Sequence, residues 1–202
     1  MNKTLISLII FTLLNFELSA QCTDYGQLNG NTTGTHGTNF LLGQKFTASS
    51  PGVITSLGIN SQSSGQQVII ALYTDNAGAP STLITESAST TLSVGDNIIN
   101  VPDVPISAGD YWIMKVLGVS TATITESNSG SSVTHYTSLS FGSSLPPNYS
   151  AGSTYSDDIF ATWMVVCPPC TDPDVPSALS SSPSTICSGS SSTISWTGNL
   201  ND

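Results

Sequence analysis

Apolar residues recur along this chain in short bursts, separated by clusters of glycine, proline, serine, asparagine and aspartate. The bursts have the two-residue period of strands rather than the period of a helix. Over 39–46, Phe40, Leu42 and Phe46 fall at even spacing, the alternation of a half-buried strand. Over 53–59, Val53, Leu57 and Ile59 share a face. The run Val68-Ile69-Ile70-Ala71-Leu72-Tyr73 is apolar on both faces and predicts a central strand, which ends in the turn formers Thr74-Asp75-Asn76-Ala77-Gly78-Ala79-Pro80. Residues 83–92, 96–104, 111–116, 122–126, 133–141 and 159–166 predict the remaining strands. Segments 29–37 and 145–158 read as loops, and the second, with Pro146, Pro147 and Gly152, is long enough to carry function. The expectation is an all-β fold in which two antiparallel sheets pack as a jelly-roll sandwich over 21–167. The strands are too many for a seven-stranded immunoglobulin domain.

The two ends depart from this pattern. Lys3 followed by the apolar run 5–14 and by Leu18-Ser19-Ala20 predicts a signal peptide over 1–20, with Gln21 as the new N-terminus. Ten apolar residues extend about 15 Å as a helix, half the thickness of a bilayer core, which argues against an anchor. No later segment is apolar enough for membrane insertion. After the strands, 168–184 is rich in proline and serine and predicts a linker. Thr185-Ile186-Cys187 and Thr193-Ile194-Ser195-Trp196 then predict the first strands of a second β domain over 185–202, cut short at Asp202.

Charge narrows the partners. Outside 1–20 the chain has two lysines, Lys45 and Lys115, no arginine and twelve carboxylates, leaving a net charge of −10. Nucleic acid is excluded as a partner on this basis, since its affinity comes largely from cations that neutralise phosphates. Anionic membranes and acidic polysaccharides are disfavoured likewise. The cysteines Cys22, Cys167, Cys170 and Cys187 predict disulfides in an exported chain. Cys22 and Cys167 bracket the domain and are the first choice of pair, with Cys22–Cys170 the alternative. Cys167-Pro168-Pro169-Cys170 has redox or half-zinc spacing, but its prolines forbid the helix that a redox pair opens, and His36 and His135 show no ligand spacing.

Candidate chemistry is sparse. No Gly-x-Ser-x-Gly elbow marks a nucleophile, and nothing places His36 or His135 beside one. Glu86 and Glu126 are the glutamates within predicted strands, with no sign of the pair that cleaves glycosides. The sequence therefore predicts no enzyme. Asp157-Asp158 is the best candidate metal site, for calcium, with Asp24, Asp75 and Asn76 as further oxygen donors, although an ordinary acidic loop has the same composition. Trp112 and Trp163 lie inside strands and are expected in the core. Alternation puts Tyr111, Ile113 and Lys115 on one face, expected to be solvated by the lysine. Tyr111 is thus a candidate sugar-stacking residue, with Tyr136, Tyr149 and Tyr155 on or beside loops.

Two stretches carry a resemblance. Gly43-Gln44-Lys45-Phe46-Thr47-Ala48, Gly52-Val53-Ile54-Thr55-Ser56-Leu57, the 71–80 strand and turn, and Ile106-Ser107-Ala108-Gly109-Asp110-Tyr111-Trp112-Ile113 together resemble the secreted jelly-roll domains of bacterial surface proteins, which have carbohydrate-binding-module-like folds. Pro183-Ser184-Thr185-Ile186-Cys187-Ser188-Gly189 with Trp196-Thr197-Gly198 resembles the opening of immunoglobulin-like repeats in large Bacteroidota adhesins. The resemblance implies an exported multidomain surface protein, a structural calcium in the jelly-roll, and a later partner for Cys187. It carries no functional residue onto this chain. The function expected is a non-catalytic extracellular adhesion or structural module that meets a neutral glycan or a surface protein. The alternative is a carbohydrate-binding module of a secreted glycan-degrading enzyme.

Overall fold

Twelve strands account for most of the residues between Cys22 and Pro169, and every pairing among them is antiparallel. The computed structural model describes residues 21–118, 121–150, 152–169, 181–182 and 193–194. In chain order the strands are β1 (Thr23–Gly26), β2 (Thr32–His36), β3 (Phe40–Ala48), β4 (Gly52–Ser61), β5 (Gln67–Asn76), β6 (Ala79–Glu86), β7 (Thr90–Thr91), β8 (Gly95–Ile106), β9 (Gly109–Leu117), β10 (Ala122–Ser138), β11 (Ser153–Phe160) and β12 (Thr162–Cys167). The described residues contain no helix.

The strands form two sheets packed as a sandwich. One has the order β6-β5-β9-β3-β10-β11, and the other β8-β4-β12-β1. The chain alternates between them: β3 and β5 lie in the first, β4 and β8 in the second, and β9 returns to the first. This alternation is the jelly-roll expectation. β10 joins the two sheets. Its C-terminal part pairs with β3 and β11, while Ala122 to Glu126 pair with β2 and touch β4 through Ile124 and Ser61. A register shift between Ser127 and Ser132 marks the irregularity along it.

Two apolar clusters follow from strand alternation. Ile54, Leu57, Ile59, Ile99 and Met164 of the second sheet meet Val68, Ile70, Leu72, Tyr111, Ile113 and Leu117 of the first to fill the sandwich. The opposite face of the first sheet is also buried, through Leu41, Ala71, Tyr73, Trp112, Met114 and Val116. Segment 139–150 covers it with Leu139, Phe141, Leu145 and Tyr149. Backbone hydrogen bonds fasten that cover, Leu83 N to Pro147 O at 2.9 Å and Tyr149 N to Ser81 O at 2.6 Å.

Several expectations need correction. β5 runs on through Asn76, so the expected turn cluster shrinks to Ala77-Gly78, both at positive φ, as a two-residue hairpin between twisted strands requires. The expected loop 29–37 contains β2, and 145–158 ends inside β11. Segments 122–126 and 133–138 belong to one strand, β10, and 139–141 lie beyond its end. Tyr111, Ile113 and Lys115 face the interior rather than solvent, at 8%, 2% and 1% exposure. Trp112 and Trp163 are buried as expected. Cys22 and Cys167 form the disulfide, and Cys170 and Cys187 lie outside the described residues. Cys22–Pro169 form one compact unit. Outside it, β13 (Ser181–Ser182) pairs with β14 (Thr193–Ile194), so Ser181 and Ser182 of the expected linker are paired residues. The expected strand at 185–187 lies outside the described residues.

Candidate functional site

The strand ends β2, β3, β10 and β11 converge on a cleft of about 410 Å³, in the range of small-ligand sites. Gly34, Thr35, His36 and Gly37 form one side, Phe40 and Leu42 another, and Glu126, Tyr136 and Tyr155 complete it. Each residue arrives by register. Tyr136 stands opposite Leu42, and Thr134, two residues before it on the same face, stands opposite Tyr155. Phe40 is two residues from Leu42, so alternation brings it to the same rim. The Phe40 and Tyr136 rings are 6.1 Å apart and inclined at 73°; those of Tyr136 and Tyr155 are 5.5 Å apart at 65°. Phe40 and Tyr155 are each 39% exposed, so the aromatic walls reach solvent.

The floor is polar. His36 Nε2 and Glu126 Oε1 share a hydrogen bond of 2.8 Å, and both residues are buried. An ionised Glu126 accepts this bond from the Nε2–H tautomer. Glycine at position 34 makes room for the carboxylate, since a Cβ there would run into it. Burial holds the Glu126 carboxyl above the usual carboxylate range; Lys115 pulls it down and the charge of Asp158 pushes it up. Lys115 rests against the Phe160 ring, its Nζ 3.7 Å from the centroid. Gln44 braces the wall beside it, with Nε2 donating to Thr134 Oγ1 and to Asp158 O while Phe160 N donates to Gln44 Oε1. The arrangement can hold the flat apolar face of a small ligand and accept hydrogen bonds from it at Glu126.

Of the four tyrosines expected from sequence, Tyr136 and Tyr155 meet in the cleft. Tyr111 belongs to the core, and its hydroxyl donates to Ser107 O at 2.8 Å. Tyr149 packs on the far face of the first sheet against Tyr73 and His135, where burial pushes its hydroxyl up to about 12. Among the described residues no three of His, Cys, Asp and Glu form a metal-sized group, and the side chain of Asp157 lies outside the described residues. Asp157 stands opposite Ser132 on β11, Asp24 opposite Val165 on β1, and Asp75 accepts from Trp112 Nε1 at 2.7 Å. His36, Glu126 and Phe40 were not expected as site residues. His36 and Glu126 are 90 positions apart, and no local motif links them. The evenly spaced Phe40 and Leu42 signal a shared face, but nothing in the alternation says that this face opens to solvent at one end. Compared with known proteins, the chain matches no family model, no curated protein and no solved structure, and the functional argument rests on the geometry of the cleft.

Proposed function

We propose that the β-sandwich is a non-catalytic recognition module of an exported adhesion protein, and that it holds a sugar unit of a glycan in the cleft. The observation that carries this reading is the set of three aromatic rings, Phe40, Tyr136 and Tyr155, standing over the buried Glu126 and His36. Sugar rings have one apolar face and a rim of hydroxyls, and an aromatic wall with a charged acceptor at its foot complements both. The scarcity of cations argues against acidic glycans. Among the described lining residues Glu126 is the one carboxylate, whereas glycoside hydrolysis uses two. Recognition therefore fits the lining better than cleavage does. The same cleft serves the alternative setting, a carbohydrate-binding module beside a hydrolase.

The test is a broad glycan array, run with calcium and with chelator, on the wild type and on Tyr136→Ala and Tyr155→Ala. Selective binding that falls about tenfold or more in both variants is expected, each having lost a stacking wall. Retained binding in both variants would move the site elsewhere. Loss in chelator would direct attention to Asp157 and Asp158. No binding by a folded sample overturns the saccharide reading.

A further inference from the structure

The cleft is built to read charge as well as shape, an inference that rests on the saccharide reading above. Its three rings are inclined to one another at 65° and 73° rather than stacked, so they enclose a corner instead of forming one flat platform. Ring faces carry the negative end of the aromatic quadrupole and attract a cation placed within about 6 Å. Beneath them, Glu126 lines the cleft and accepts on Oε1 from His36 Nε2, a carboxylate oxygen that can take a further hydrogen bond. A protonated amine offers three donors and a full positive charge to that oxygen.

The positive side chains of the sandwich stay out of the cleft lining, although the Lys115 charge reaches Glu126. Lys45 binds Asp110 at 3.1 Å and lies 3.9 Å from Asp75. Lys115 is buried against the Phe160 ring. Neither lysine lines the cleft. The chain as a whole carries a net charge of −10, a balance that favours cationic over anionic ligands. A hydroxyl or an acetamido N–H can also donate to the carboxylate, but it brings no positive charge to that oxygen or to the ring faces.

We infer that the cleft selects an amine-bearing saccharide, a sugar ring with a free ammonium group as in a deacetylated amino sugar, with the ammonium seated between the aromatic walls and Glu126. The experiment titrates the full-length protein near neutral pH with three tetrasaccharides of matched length: β-1,4-linked glucosamine, its fully N-acetylated counterpart, and the neutral glucose oligomer. The amine form is expected to bind about tenfold more tightly than the other two. High salt should shrink that advantage in the wild-type protein, a reading that needs no variant to fold. Glu126→Gln should remove most of the advantage while leaving weak binding of the neutral oligomer, and Tyr155→Ala should weaken all three. Equal or tighter binding of the acetylated or neutral oligomer overturns the charge selection and leaves the saccharide reading standing. Binding of none of the three overturns the selection as well, and the glycan array then decides the broader reading by itself.

Discussion

A buried carboxylate is costly unless it is paired, and Glu126 has His36 at 2.8 Å and the Lys115 charge nearby. Its carboxyl is nonetheless held above its ordinary range, so the folded state keeps the proton longer than the unfolded chain does. The stabilising contribution is therefore complete below the unfolded pKa and is lost as pH rises through the folded one. Glu126→Gln, which mimics the protonated form, should gain on the wild type as pH rises from 4 to 7, with a melting-temperature difference that grows by a few degrees. A difference that stays flat with pH would show that burial imposes no such cost. His135 runs the other way. Burial beside Trp112 lowers its pKa, so its contribution is present above about 6.5 and declines as pH falls through the folded value. His135→Gln should flatten the acid side of the stability profile, measured as melting temperature at pH 7.5 and 5.5. These residues also show where sequence reasoning stopped. Tyr136 and Tyr155 share the cleft lining, and the sequence singles them out only as tyrosines on or beside loops, Tyr155 within the expected loop 145–158. Tyr111 failed because Lys115 was taken to mark a solvated face, whereas the lysine is buried against Phe160.

At the scale of single elements, two devices position the site and its scaffold. The β5–β6 hairpin turns at Ala77-Gly78, and Ala77 sits at φ 51°, a conformation that an ordinary side chain enters at a cost. Asparagine tolerates that region, and Asn-Gly is the preferred pair for such a turn. Ala77→Asn should therefore stabilise the protein by about 0.5–1 kcal/mol in denaturant unfolding; a neutral or destabilising result would mean that the turn relaxes in solution. The second device is the 139–150 cover. Leu145 is 5% exposed in the outer cluster, and Tyr73 donates to Pro146 O at 2.9 Å beneath it. Leu145→Ala should cost about 2–4 kcal/mol if the cover and sheet unfold together. If the cover opens alone, the same variant should show faster chymotryptic cleavage near Phe141 and Tyr149 with an unchanged global melt. The long strands β3, β4, β5, β8 and β9 are legible from alternation, because each needs only its own residues to declare its period, whereas β1, β2 and most of β11 are not. The pairing of Ala122 to Glu126 with β2 was not legible, because Thr32 to His36 contains no apolar residue to betray a strand.

For the molecule as a whole, the disulfide and the topology act together. Cys22 precedes β1 and Cys167 ends β12, and Thr23 stands opposite Val166 on the neighbouring strands. The bond thus fastens the edge strand of the second sheet to its neighbour while closing a loop with a sequence separation of 145. In the chain-entropy model a loop of that length is worth about 5 kcal/mol, an upper figure because a compact unfolded chain has less entropy to lose. A domain of this kind has about 5–15 kcal/mol of net stability. The double variant Cys22→Ser/Cys167→Ser should therefore lose about 2–5 kcal/mol in denaturant unfolding, a large share of the total. Hydrogen exchange separates the two contributions. If the bond acts only by restricting the unfolded chain, protection should fall by a similar factor throughout the slowly exchanging strands. If it mainly holds down the edge, amides of β1 and their partners on β12 should lose protection first, while β5 and β9 in the first sheet keep theirs. Because β1 is short and bonded on one side by β12, edge release is the outcome expected first, with the global loss following as β12 becomes exposed.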